Sequence, residues 1–233
     1  MQTLHSLNIL GHVLFGTAAL LVGGIALLAR KGPGRHARFG RYFLGALTVV
    51  VATAGIGIMF FRSNPFLLML TLLGGYVGYS GYRTTRLRER PASPADALVA
   101  VVTLAAGGVY LVLGGQSGGN WSPAVVYPTL SGLVLVAGYD LLKRFLLFER
   151  LRTWWLYEHI YKMTSAYNAI VSAFAGTVFP NHHPYSQILP TVFFMGLIAY
   201  FIGRQARKAR LKKKNEPIPP VTEMPPSGNA LFG

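Results

Sequence analysis

The stretch EHIYKMTSAYNAIVSAF sets His159, Met163 and Tyr167 at i, i+4 and i+8 on one face of a helix, with Lys162, Ser165, Asn168 and Ser172 on an adjoining face. Imidazole and thioether bind haem iron and soft metals, so this face is a candidate for chemistry. His36, in ARKGPGRHARFGRY, falls at a similar depth in the pattern of apolar blocks. Two neutral imidazoles from different helices are what a six-coordinate b-type haem requires, and Lys162, Arg38 or a neighbouring arginine would neutralise its propionates. A third histidine, His12, sits inside the apolar run GHVLFGTAALLVGG, where a polar ring must find a partner. His5, Asn8 and His12 follow the i, i+3, i+7 spacing of one helical face, and His182 and His183 precede the last apolar block. Four imidazoles could thus meet at one side; the simpler reading makes His5 a frayed terminus and His182-His183 a solvated loop. The candidate cofactor-binding residues are His12, His36, Arg38, His159, Lys162 and Met163, and haem b or a metal is the cofactor class they suit.

Other chemistry is poorly served. Cysteine is absent, which removes thiolate ligands and thiol nucleophiles. No HxxxH or HExxH pair exists, which argues against an intramembrane metallohydrolase. The seven carboxylates are Glu89, Asp96, Asp140, Glu149, Glu158, Glu216 and Glu223, and each falls at the end of an apolar block or in the C-terminal segment. Proton- or sodium-coupled carriers usually need an ionisable group at mid-membrane, so this distribution weakens that class. Asp140 precedes Arg144 by four residues and Glu158 precedes Lys162 likewise, the order that favours helical i,i+4 pairs. Asp96, three residues after Ser93, reads as first-turn helix charge.

The elements that must position these residues are membrane helices. Of 233 residues, 52% are hydrophobic and only 12% charged, against about a quarter charged in soluble domains. The apolar residues form blocks that are apolar all round, such as FLLMLTLLGGYVGYSGY and ALVAVVTLAAGGVYLVLGG. Seven spans are expected, near residues 7–29, 42–61, 65–82, 97–115, 124–142, 156–179 and 187–203. The fold class is all-α, a bundle of seven transmembrane helices occupying residues 1–203, with short loops and no sizeable soluble domain. Asn64-Pro65, Ser93-Pro94 and Ser122-Pro123 mark helix starts, each a capping residue before a proline at the first helical position. Gly74 and Gly78, four apart, allow the third helix to approach a neighbour closely.

Basic residues orient the bundle. Arg30, Lys31, Arg35, Arg38 and Arg41 occupy the first connection, four arginines the third, and Lys143, Arg144, Arg150 and Arg152 the fifth; seven more follow residue 203. That places 20 of the 22 on one side, which the positive-inside rule makes cytoplasmic, with the N-terminus outside and the C-terminus inside. This accounts for the net charge of +15 without nucleic acid. Trp121 falls at the outer boundary and Trp154 and Trp155 at the inner one, as aromatic belts require. The first span should be retained rather than cleaved, because no basic residue precedes it. Residues 204–233 read as a disordered cytoplasmic tail, basic in RQARKARLKKK and then proline-rich, whose basic part lies on anionic lipid headgroups.

The chain resembles a family of bacterial multi-pass membrane proteins of unassigned activity. The likeness rests on LGHVLFGTAALLVGGIALLARKGPGRHARFGRYF, on WLYEHIYKMTSAYNAIVSAF and on the later LPTVF, the middle spans matching only in hydropathy. Its corresponding residues are His12, Lys31, Gly32, His36, Arg38, Gly40, His159, Met163 and Tyr167. A departure is Ala37, where the family often has arginine directly after the second histidine, so that basic position is displaced to Arg38. The resemblance implies a multi-pass protein of the bacterial inner membrane with a histidine-centred site, and no activity. Two functions follow as expectations: haem or metal binding through histidines for membrane electron transfer, and a metal-free small-molecule carrier or receptor using the polar face of span six.

Overall fold

With so little polar side-chain surface, the chain has to satisfy its backbone N–H and C=O groups internally, and continuous helix does that residue by residue. The computed structural model describes residues 2–61, 65–114 and 123–215, and these are helical almost throughout, with no strand among them. In chain order they form α1 (Gln2–Leu28), α2 (Arg35–Phe60), α3 (Pro65–Leu87), α4 (Pro94–Gly114) and α5 (Pro123–Leu142). A π-helical turn at Lys143–Leu147, the short α6 (Phe148–Leu151) and a 3-10 turn at Arg152–Trp154 lead into α7 (Trp155–Val178); a second 3-10 turn, Pro180–His182, precedes α8 (Tyr185–Lys214).

Prolines open three helices as expected, at Pro65, Pro94 and Pro123. Ser93 caps α4: the Asp96 amide donates to its hydroxyl at 3.2 Å, and the Ser93 amide donates to the Asp96 carboxylate at 2.8 Å. This reciprocal box satisfies two donors that the helix start would otherwise leave open. Asn64, Trp121 and Ser122 lie outside the described residues.

The helices are arranged around a central pair. α3 packs against α7 and also touches α2, α4 and α5, while α7 touches α1 and α8; α1 runs along α2, and α4 along α5. The α3–α7 seam is built from small residues. A Cβ on Gly74 would stand 3.4 Å from the Ala169 Cβ, one on Gly78 would stand 3.9 Å from the Ala166 Cβ while colliding with Leu47 of α2, and one on Gly81 would reach the Met163 sulfur at 2.8 Å. Hence Gly74 and Gly78 do permit the close approach their spacing suggests, and Gly81 extends it by one turn. The core around this seam includes Phe43, Met69, Val77, Leu133 and Ala166, each at most 3% exposed. Tyr167 joins α7 to α1: a Cβ on Gly23 would lie 2.6 Å from its ring, and its hydroxyl donates to the Leu20 carbonyl at 2.9 Å.

Among the described residues three helices are long and apolar enough by themselves to cross a membrane, against the seven spans expected: Gln2–Leu28, Arg35–Phe60 and Tyr185–Lys212. α3 and α7 lose hydropathy to glycine, tyrosine, serine and charged residues, which they can carry because other helices cover them. The boundary expected at residue 203 falls inside α8, which continues to Lys214. Residues 204–214 are all strong helix formers without Gly or Pro, so the basic segment extends the helix instead of ending it. Residues 216–233 lie outside the described residues.

Candidate polar cleft at the basic end of the bundle

The four basic segments meet at one end. The Lys31 ammonium lies 5.1 Å from the Phe201 ring of α8, His36 meets His159 of α7 with ring centroids 6.2 Å apart, and the Arg88 guanidinium stands 5.7 Å from the Trp155 ring. At this end α1 is closed by side chains. Lys31 Nζ donates to the Leu27 carbonyl at 2.6 Å and His36 Nδ1 to the Ala26 carbonyl at 2.9 Å, satisfying acceptors that the helix end leaves free. Gly32, at φ +152°, supplies the turn between them that other residues rarely adopt.

Between α3, α4, α5 and α7 lies a polar cleft of about 60 Å³, enough for a few waters or one small oxyanion. Its deepest charge is Lys162, whose side chain is only 3% exposed and whose ammonium donates to Asp140 Oδ1 at 2.6 Å. Asp140 Oδ2 accepts from the Tyr76 hydroxyl at 2.8 Å and from the Ser80 hydroxyl at 2.5 Å, so three donors from two helices converge on one carboxylate. Glu158 accepts from Lys143 Nζ at 2.5 Å and from the Tyr139 hydroxyl at 2.8 Å. Its other oxygen is 3.9 Å from Lys162, linking the two pairs. On the α4 side, Arg83 holds Asp96 through two bonds of 2.6 and 2.9 Å, and the Tyr79 hydroxyl donates to the same carboxylate at 2.7 Å. Burial would raise the Asp96 pKa, but hydrogen bonds from Arg83, Tyr79 and Ser93 outweigh it and hold the carboxyl well below its ordinary range.

This network corrects the pairings expected from spacing. Asp140 binds Lys162 rather than Arg144, and Glu158 binds Lys143 more closely than Lys162. The i,i+4 rule presumes an unbroken α-helix, whereas the chain enters a π-helical turn at Lys143, which widens the spiral and turns Arg144 away from Asp140. Arg144 lines the cleft with its Nε buried and without a partner.

The residues expected to hold a cofactor divide between two places. His12 Nδ1 lies 2.9 Å from the Thr53 hydroxyl, which donates to the Val49 carbonyl and so accepts from the ring. Asn8 Nδ2 donates to the Thr53 carbonyl at 3.0 Å, and His5 stacks on Phe61 at 4.5 Å. These residues fasten α1 to α2. His12 is fourteen residues from Ala26, where His36 binds, or about 20 Å along α1. His182 packs on Phe179 instead, and no group of three His, Asp or Glu side chains able to hold a metal occurs among the described residues.

His36 and His159 do come together, edge to face. The His159 Nδ1 faces the Gly81 carbonyl at 3.4 Å, so both rings are tied to backbone carbonyls through Nδ1. Met163 packs beside them on Gly81, and Arg38 is exposed. Lys162, expected to meet a haem propionate, is already committed to Asp140. The cleft's other members, Tyr76, Tyr79, Ser80 and Arg83, were missed because GGYVGYSGYR reads as packing surface; the usable signal was hydroxyl pairs four apart and tyrosine four before arginine on an otherwise apolar helix. No family model matches this chain, and no curated protein or solved structure is similar to it.

Proposed function

We propose that the chain is a multi-pass protein of the bacterial inner membrane, seven helices crossing with the basic end in the cytoplasm, and that it serves as a metal-free carrier or receptor for a small polar molecule. Large apolar side chains such as Leu98, Val102, Val134 and Leu135 stand outward on α4 and α5, an arrangement that favours lipid over water. The gathering of basic segments at one end agrees with the positive-inside rule, and the basic extension of α8 is suited to anionic headgroups. The observation that carries the functional reading is the cleft itself: a charged, hydroxyl-lined recess between four helices, with Lys162 at its floor. Buried charge in a membrane bundle is costly and commonly marks a binding path.

The test is thermal unfolding of the full-length protein in neutral detergent against a panel of small acids, amines, sugars and phosphates. A solute that raises the midpoint of the wild type but not of Arg144→Gln supports the reading, and liposome flux of that solute then separates carrier from receptor. A panel without any such solute ends it.

A second reading is haem b or a metal bound by His36 and His159 for membrane electron transfer. It is favoured by one observation, the facing rings each tied to a backbone carbonyl through Nδ1, as ligating histidines commonly are. An absorption spectrum and metal analysis of protein expressed with ample haem decide it.

A further inference from the structure

Charge bookkeeping in the cleft leaves a surplus. Its lining carries six cationic side chains and three carboxylates. The carboxylates are taken by Arg83, Lys162 and Lys143. Arg88 and Arg90, both exposed at its rim, and the half-buried Arg144 also line the recess, and among the described residues no carboxylate lies within 4.0 Å of any of them. The Arg88 and Arg144 guanidinium groups stand over aromatic faces, Trp155 and Phe145, at 5.7 and 5.4 Å. A buried guanidinium nitrogen without an acceptor is costly, and the Arg144 Nε is one.

Two features of the backbone hold these arginines where they are. Arg88 follows the last residue of α3 at φ +51°, a left-handed conformation that glycine would adopt at lower cost. Arg144 stands in the π-helical turn, an insertion frequently found at functional sites. The sequence thus accepts local strain to present guanidinium groups at a recess.

We infer that the cleft binds a phosphate group, held by Arg88, Arg90 and Arg144. Guanidinium forks match the oxygens of phosphate in pairs, and a phosphate offers more acceptor oxygens than a carboxylate to three converging arginines, with close to two negative charges when it is inorganic phosphate or a monoester and one when it is a phosphodiester headgroup. The site lies at the end of the bundle where headgroups would gather, so the group comes either from a soluble phosphate or from an anionic phospholipid. This rests on the carrier or receptor reading and specifies its ligand class.

Two titrations of delipidated full-length protein in neutral detergent at low salt test it: inorganic phosphate, and mixed micelles of phosphatidylglycerol against phosphatidylcholine. At least one should bind saturably, and Arg88→Gln and Arg144→Gln should each weaken it about tenfold or more, the size of one charge-assisted hydrogen bond. Arg207→Gln, on the basic extension of α8, should not. Binding of phosphate with no preference for phosphatidylglycerol identifies a soluble ligand; the reverse identifies a headgroup. If neither binds, or both bind equally to wild type and Arg144→Gln, the phosphate assignment is overturned. Stabilisation by an uncharged solute or an amine in that case leaves the carrier or receptor reading standing, and failure of the whole panel removes both.

Discussion

Lys162 of α7 and Asp140 of α5, 22 residues apart in sequence, face each other at 2.6 Å with 3% and 18% of their side chains exposed. Removing one member of such a pair leaves the other charge desolvated and unanswered, which costs about 3–5 kcal/mol. Lys162→Met and Asp140→Asn should each lower the unfolding midpoint in detergent strongly. The double variant should lose clearly less than the sum of the two, since neither then strands a charge. Additive losses would show that the two residues do not act as a pair.

The seam between α3 and α7 gives a second prediction. Gly78→Val places a branched side chain against Leu47 and Ala166, where even a Cβ collides. Overpacking of that kind costs about 1–3 kcal/mol or more. Gly40→Ala on α2 meets nothing within 4 Å, and by its better helix propensity should be neutral or slightly stabilising. Thermal unfolding of both variants side by side checks the contrast; equal behaviour would mean that α3 does not approach α2 and α7 this closely at Gly78.

These two cases show which parts of the molecule were legible. The seam could be read from Gly74 and Gly78 because small residues four apart report a close helix contact whatever the partner is. Helix starts could be read from Ser93-Pro94 because capping is local. Asp140 could not be assigned, since its partner is chosen by tertiary geometry and the π-helical turn at Lys143 breaks the local rule. His36 was legible in part: its nearness to His159 follows from matching depth, but its bond to the Ala26 carbonyl needs the path of the chain through Gly32.

Asp96 gives a pH dependence. Its folded pKa is depressed below the ordinary 3.8, so its contribution to stability is complete above about pH 4 and is lost as pH falls toward the folded value. Stability should therefore decline on acidification from pH 4 downward, and Asp96→Asn should flatten that decline while lowering stability at pH 7. The midpoint measured from pH 7 to pH 3 for both proteins checks this, and parallel curves would rule Asp96 out as a source.

Topology is tested by fusion. α8 continues to Lys214, so a reporter belongs after Asn215 rather than after residue 203. It should report cytoplasm, and one inserted within 116–120 should report the exterior. The reverse pattern would invert the bundle and place the polar cleft on the outer face.

His12 and His36 should respond differently to removal. His12 donates to a Thr53 hydroxyl that already donates to the Val49 carbonyl, so His12→Ala strands no donor and forfeits only one bond between α1 and α2, about 0.5–1.5 kcal/mol. Asn8 binds the same residue through its carbonyl, and adding Asn8→Ala should deepen the loss non-additively because both anchor the same turn of α2. His36→Ala removes an acceptor's partner at the α1 C-terminus, yet Lys31 Nζ stands 3.5 Å from the same Ala26 carbonyl and takes up part of the deficit. The loss at His36 should therefore be small in the wild-type background and grow when Lys31→Met is added. A two-state fit to thermal unfolding of the four single variants and the two pairs measures all of this at once. If His36→Ala instead costs several kcal/mol with Lys31 intact, the ring is anchored by more than the carbonyl, and a ligand shared with His159 becomes the explanation to pursue by absorption spectroscopy.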